Sequence, residues 1–346
     1  MQFLKYFKWT LLLTVISLIV AYFYGGWAAL ITCVILGILE ISLSFDNAVL
    51  NASILRKMSP FWQKMFLTVG IIIAVFGMRL IFPLLIVTIA AHLNPIDALQ
   101  LALADGDPET PGTYGYILTE AHPYIAAFGG MFLILLFFDF VLADREIRWI
   151  RRVETVLSKM KHVKAVSVLF ALAGLLIATQ PLETNVQLDT LVAGILGIIL
   201  YIFIKGAGDI FQHYSEKKVG KLAVAAGKAG FFSFLYLEVL DATLSFDGAI
   251  GAFAITPDPI IIALGLGVIG AMAVRSLTVF MVRKGTLDEF IYLEHGAHWA
   301  IGALAVILLV SITVHVNELI TGTIGIIFIG AALYTSILHR KKHSIQ

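Results

Sequence analysis

Apolar residues run along this chain in long blocks separated by short polar stretches. Blocks near 9–25, 27–52, 64–91, 123–143, 163–181, 187–206, 230–255, 259–282, 297–315 and 318–338 compare with the ~20 apolar residues a helix needs to cross a hydrocarbon core. The pattern predicts an all-α fold, a polytopic transmembrane helical bundle of about ten spans. The first block follows Lys5 and Lys8 like a secretory signal. It continues through Gly25 and Gly26 straight into the second block, so it reads as a retained helix.

Composition strengthens this picture. Hydrophobic residues make up 60% of the chain and charged ones 14%, with a mean hydropathy of +0.94, whereas soluble domains are about half apolar and a quarter charged. The net charge of +1 points to no partner, but the placement of charge is informative. Apart from Arg79 and Arg275, which lie within spans, all of the 24 Lys and Arg residues fall on one side of the ten-span scheme. The positive-inside rule then puts both termini in the cytoplasm of a multi-pass plasma-membrane protein, with the lipid bilayer as its solvent. Residues 92–122 hold Asp97, Asp105, Asp107, Glu109 and Glu120, no basic residue, and enough Pro and Gly to predict an external loop. Residues 144–164 alternate charge with Trp149, Ile150, Val153 and Val156, as a short amphipathic helix at the membrane surface would. Cys33 is the sole cysteine, so one chain can build neither a disulfide nor a thiolate metal site. The basic residues sit between apolar blocks, which gives no support to a nucleic-acid partner.

One segment occurs twice. Ser42-Leu43-Ser44-Phe45-Asp46-Asn47-Ala48-Val49 recurs as Thr243-Leu244-Ser245-Phe246-Asp247-Gly248-Ala249-Ile250. Six residues before each aspartate stands another acid, Glu40 or Asp241, and the following span carries a lone arginine, Arg79 or Arg275. The chain thus divides into five-span repeats over 1–182 and 183–346. An odd number of spans inverts the second repeat, the plan of many secondary transporters, whose sites lie near the midplane where repeats meet.

Ionised groups inside a bilayer cost several kcal/mol each and usually face a bundle interior or a water-filled path. Spans two and seven hold Glu40, Asp46, Glu238, Asp241 and Asp247 against Arg79 and Arg275. Structural ion pairing would leave this set with surplus negative charge, which a divalent cation and a proton would balance. Carboxylate, amide and hydroxyl oxygens are hard ligands suited to Mg²⁺, Ca²⁺ or Mn²⁺, with Mn²⁺ the best fit, and the lack of thiolates speaks against zinc or copper. Glu40, Ser44, Asn47 and Asn51 share a helical stripe, as do Glu238, Asp241, Ser245 and Gly248. Asp46 and Asp247 fall about 120° away, so either the paired acids serve separate purposes or the helices unwind around Ser44–Asn47 and Ser245–Gly248. Asp139 reads as a cap or a pathway residue. Glu294-His295-Gly296-Ala297-His298 departs from His-Glu-x-x-His and suits interface anchoring or a proton relay.

Glu40-x5-Asp46-Asn47 and Asp241-x5-Asp247, with Ser-Phe-Asp around them and Ala-Phe-Ala-Ile-Thr trailing at 252–256, resemble the TerC family of integral membrane proteins, in a branch long catalogued as a domain of unknown function. That resemblance implies a Mn²⁺ exporter without a permanently bound cofactor. It puts Glu40, Asp46, Asn47, Glu238, Asp241 and Asp247 along the ion path, with Ser44, Ser245, Arg79 and Arg275 in supporting contacts. Gly248 stands where the first copy has Asn47, a departure from the paired pattern. Proton antiport is the expected coupling, with Glu40 and Asp241 exchanging the proton, and no enzyme activity is expected. Two other classes compete: a non-transporting membrane component of a metal or tellurium stress-response complex, and an intramembrane aspartyl protease using Asp46 and Asp247. Against the protease, the extra paired acids and arginines exceed what a two-aspartate dyad requires.

Overall fold

The computed structural model describes residues 2–104, 109–160, 165–219, 225–256, 258–285, 289–314, 316 and 318–343. Among these residues the regular elements are helices, beside an isolated bridge between Met58 and Ala225. The first half of the chain forms α1 (Gln2–Leu43), α2 (Phe45–Leu55), α3 (Pro60–Ile72), a first π segment (Ile73–Ile81), α4 (Phe82–Ala90), α5 (Pro95–Leu103), α6 (Tyr114–Glu120), α7 (His122–Val141), α8 (Arg151–Lys159) and α9 (Val166–Thr179). The second half forms α10 (Thr184–Val219), α11 (Gly227–Ile255), α12 (Pro259–Ile262), a second π segment (Ala263–Gly270), α13 (Ala271–Lys284), α14 (Leu293–Ser311) and α15 (Glu318–His343).

Seven segments among the described residues are long and apolar enough to cross a membrane: Tyr6–Ile41, Pro60–Gly77, His122–Val141, Thr184–Ile210, Pro259–Lys284, Leu293–Ser311 and Thr323–Lys341. The α9 helix is apolar but has only 14 residues, short of the ~20 that a straight crossing needs. A multi-pass helical membrane bundle accounts for these segments. It also accounts for exposed side chains such as Phe23, Trp27 and Ile38 on α1, which water would penalise and lipid does not. The link predicted between the first two apolar blocks is a kink inside α1 at Gly25 and Gly26. Gly26 has φ of 67°, a backbone that only glycine adopts freely.

The chain divides into two compact units. The first comprises residues 1–44, 60–122 and 237–280. Here α1 lies against the second π segment through small residues. A Cβ on Gly265 would fall 2.7 Å from the Cys33 carbonyl oxygen and 2.8 Å from Leu36 Cβ, and one on Gly37 would fall 2.9 Å from Ile269 Cγ2. Such small-residue contacts let helices approach closely where lipid supplies no hydrophobic drive. Thr10 fastens the start of α1 to α13, donating to the Met272 carbonyl at 3.1 Å and pairing with the Ser276 hydroxyl at 2.6 Å. The stretch expected as an external loop contains α5 and α6. Asn94 caps α5 by accepting from the Ile96 and Asp97 amides, and Thr113 caps α6 by accepting from the Tyr116 amide. The Pro and Gly residues of that stretch mark helix starts and the link between helices, a use that breaker counts alone do not distinguish from loop.

The second unit comprises residues 45–59, 123–236 and 281–346. Its core is built on α7, whose Phe132, Met131, Leu133 and Leu135 are buried. Gly197 on α10 makes room for the Phe128 backbone and Gly302 on α14 for the Phe137 ring, since a Cβ on either would lie 2.3 Å or 2.5 Å from those groups. The predicted amphipathic helix is α8. It buries Glu154 and Ser158 within the unit and leaves Val153 and Val156 exposed, the orientation of a helix whose apolar face lies on lipid. Asp139 does not cap α7. It pairs with Lys205 and accepts from the Tyr201 hydroxyl, both on α10.

Candidate functional site

The first unit brings three carboxylates of the predicted set into its interior. Glu40 on α1 is 1% exposed, and Glu238 and Asp241 on α11 are 6% and 4% exposed. The stripe predicted on α1 is real at its first step, since the Ser44 hydroxyl donates to Glu40 Oε1 at 2.9 Å. Just there the helix breaks for a single residue. Ser44 separates α1 from α2 while its amide still donates to the Glu40 carbonyl at 2.9 Å. The second copy shows no such break, because α11 runs unbroken from Gly227 to Ile255.

Arg275 on α13 is the cation of this interior, 2% exposed. Its Nη2 lies 3.4 Å from Asp241 Oδ2 and 3.8 Å from Glu238 Oε1. It also donates to two backbone carbonyls one turn apart on α3, from Nη1 to Phe66 and from Nη2 to Gly70, each at 3.0 Å, and its guanidinium carbon sits 3.7 Å above the Phe66 ring. A planar fork with five donors holds two carbonyls and a carboxylate together in one fixed geometry, which the compact ammonium of a lysine does not impose. Beyond the long contact to Arg275, neither Glu238 oxygen has a hydrogen-bond partner among the described residues. A buried carboxylate left this way is costly and marks a place where an ion or proton would be favoured.

Two glycines not foreseen in the sequence make these approaches possible. A Cβ on Gly70 would lie 2.5 Å from Glu238 Oε1 and 3.0 Å from Arg275 Nη1. A Cβ on Gly270, at the end of the second π segment, would lie 2.2 Å from Glu40 Cγ. Glu238 and Glu40 are therefore each seated over a glycine from a distant helix; Gly270 ends the second π segment and Gly70 lies in the last turn before the first, a helix form frequent at functional sites. Asn47 on α2, in the second unit, is buried, and Asn51 four residues on is buried with neither amide atom hydrogen-bonded among the described residues. The side chains of Asp46, Arg79, Ser245 and Asp247 lie outside the described residues. Among the described residues, no group of three or more His, Cys, Asp and Glu side chains converges as a metal ion requires.

The second unit holds a separate polar cluster that the sequence only hinted at. Glu154 accepts from the Trp149 amide at 3.1 Å, the Ile150 amide at 3.3 Å and the Trp299 indole at 3.0 Å, and its Oε1 lies 3.3 Å from His295 Nδ1. Burial pushes the Glu154 carboxyl up, but these donors outweigh it and hold the group below the usual carboxylate range. Glu294 takes Arg56 at 3.3 Å and Arg145 at 3.8 Å. His298 donates from Nδ1 to the Glu294 carbonyl at 2.8 Å and stacks on Phe140 at 3.6 Å. The histidines of the Glu-His-x-x-His run are thus engaged with protein partners.

An all-helical chain with several helices long and apolar enough to cross a membrane belongs to the class of multi-pass membrane proteins. Residues 45–343 match the family described as Protein of unknown function (DUF475), and the chain belongs to that family. No curated protein and no solved structure matches it.

Proposed function

We propose that this protein is a secondary transporter that exports a hard divalent metal cation, with Mn²⁺ as the specific candidate, in exchange for protons. The observation that carries this reading is Glu238, a buried carboxylate whose oxygens have no hydrogen-bond partner among the described residues and only a 3.8 Å contact to Arg275. Among the described side chains, three buried acids, Glu40, Glu238 and Asp241, stand in the first unit with one buried arginine, Arg275, a balance that favours a cation as their guest. The resemblance of the paired Ser-Phe-Asp segments to the TerC family supports Mn²⁺ as the substrate, with Asp46, Asn47 and Asp247 completing the path.

The same reading takes the chain as ten spans in two inverted repeats, with both termini cytoplasmic in the plasma membrane. Its support is a crossed pair of contacts. Gly70 of the first repeat seats Glu238 of the second, and Gly270 of the second seats Glu40 of the first. A two-fold relation between repeats brings span two against span eight as it brings span seven against span three, a correspondence of helices and not of residues, since the counterpart of Glu40 in the second copy is Asp241 and not Glu238. The rival reading, in which these acids are only structural ion pairs, draws on Arg275, which reaches both Glu238 and Asp241.

Proteoliposome flux separates the two. Glu238→Gln, Asp46→Asn and Asp247→Asn are expected to abolish Mn²⁺ movement while the protein still inserts and melts cooperatively, and an inward proton gradient is expected to drive Mn²⁺ outward in the wild type. Undiminished flux in these variants, or flux indifferent to the pH gradient at fixed potential, overturns the proposal.

A further inference from the structure

The first unit encloses an apolar cavity of about 560 Å³ that the acidic site does not use. Its walls come from the first π segment, α4, α5, Tyr114 of α6, α12 and the second π segment. Every side chain lining it is hydrocarbon except the Tyr114 phenol. Its volume lies within the ~300–1,000 Å³ of ordinary ligand pockets. Water gains no hydrogen bonds in such a space, and an empty void forfeits the dispersion contacts of its walls. The fitting guest is a hydrocarbon chain.

The setting says which one. Leu99 and Leu103 of α5 line the cavity yet stay 48% and 57% exposed, and Phe76 and Ile81 of the first π segment are also half exposed. A short helix with exposed Ile96, Leu99 and Leu103 and buried Ala98 and Ala102 suits the membrane interface, where its apolar side meets acyl chains. The polar surroundings are of one sign. Residues 92–122 carry five acids and no Lys or Arg, with Asp97 on α5 and Glu120 on α6. Such a field repels an anionic headgroup and attracts an ammonium.

We propose that this cavity binds one acyl chain of a phospholipid, and that the acidic segment bearing α5 and α6 selects an amine-bearing zwitterionic headgroup over an anionic one. In the orientation proposed above the lipid comes from the outer leaflet. Binding itself depends on neither that orientation nor transport.

Native mass spectrometry of the full chain tests it, in micelles holding equal amounts of phosphatidylethanolamine and phosphatidylglycerol with identical chains. The wild type is expected to retain the ethanolamine lipid over the glycerol lipid by about fivefold, the discrimination of one exposed charge contact near 4 Å in water. Ala102→Trp, which fills the cavity, is expected to lose the bound lipid. Leu103→Gln, at an exposed position that folding tolerates, is expected to weaken retention of both lipids. Asp97→Asn with Glu120→Gln is expected to keep a bound lipid but lose the preference. Equal retention of the two headgroups by the wild type overturns the selection. Lipid retention unchanged in both Ala102→Trp and Leu103→Gln overturns the site, and a lipid-free dimer disrupted by Leu103→Gln assigns the face to a second copy of the chain instead.

Discussion

Replacing Gly270 by alanine places one methyl group where the structure leaves no room. The new Cβ would lie 2.2 Å from Glu40 Cγ, 2.5 Å from Glu40 Cβ and 3.6 Å from Cδ, against a comfortable carbon–carbon separation of about 3.5–4.0 Å. The two closest atoms are near the α1 backbone rather than at the flexible end of the side chain. Relief therefore requires Glu40 to change rotamer or α1 to move, and either shift takes the carboxylate from the Ser44 hydroxyl. In an open helical position a glycine-to-alanine change stabilises by about 1 kcal/mol, while overpacking a tight interior costs about 1–3 kcal/mol. The net expectation is a loss of about 1–2 kcal/mol together with a fall in Mn²⁺ flux. Gly330→Ala is the control, since nothing stands within 4 Å of its Cβ, and it should be neutral or slightly stabilising. Thermal unfolding of both variants and flux in proteoliposomes provide the comparison. If Gly270→Ala melts with the control and transports normally, Glu40 is not seated over Gly270 and the crossed-glycine argument for inverted repeats fails.

Arg275→Met should lose about 3–5 kcal/mol, because it leaves Glu238 and Asp241 buried without their cation, and adding Glu238→Gln and Asp241→Asn should restore part of that stability. Chemical denaturation of the single and triple variants measures this, and equal stability of wild type and Arg275→Met refutes it. Glu154 is held below the usual carboxylate range, so its contribution is complete above the ordinary glutamate pKa of about 4.3 and is lost as pH falls through its lower folded value. The melting-temperature gap between wild type and Glu154→Gln should therefore be constant from neutral pH down to that range and shrink below it; a gap that persists unchanged in acid contradicts the assignment. Gly26→Ala meets no atom within 4 Å but must keep φ near 67° with ψ near −153°, a region almost reserved to glycine, so it should cost about 1–3 kcal/mol of backbone strain alone. A melting temperature equal to wild type would count against the kink.

What the sequence settled by itself was set by solvent and by local periodicity. Long apolar blocks demand lipid and helix, the Gly25-Gly26 pair marks the kink inside α1, and the four-residue spacing of Glu40 and Ser44 puts a hydroxyl on a carboxylate one helical turn away. None of these needs a distant partner. The helical nature of 95–103 and 114–120 was locally encoded too, in Asn94-Pro95 and Thr113 as helix starts, but proline and glycine counts concealed it. Tertiary structure alone decided the rest. Arg275 could have paired with any acid on a neighbouring span, and only the packing of α3 brought it the Phe66 and Gly70 carbonyls, more than 200 residues away in sequence. Gly70 and Gly270 look like any other glycines in an apolar block until Glu238 and Glu40 arrive above them. Helix periodicity fixes which residues share a face, and close packing between segments far apart in the chain fixes which faces meet.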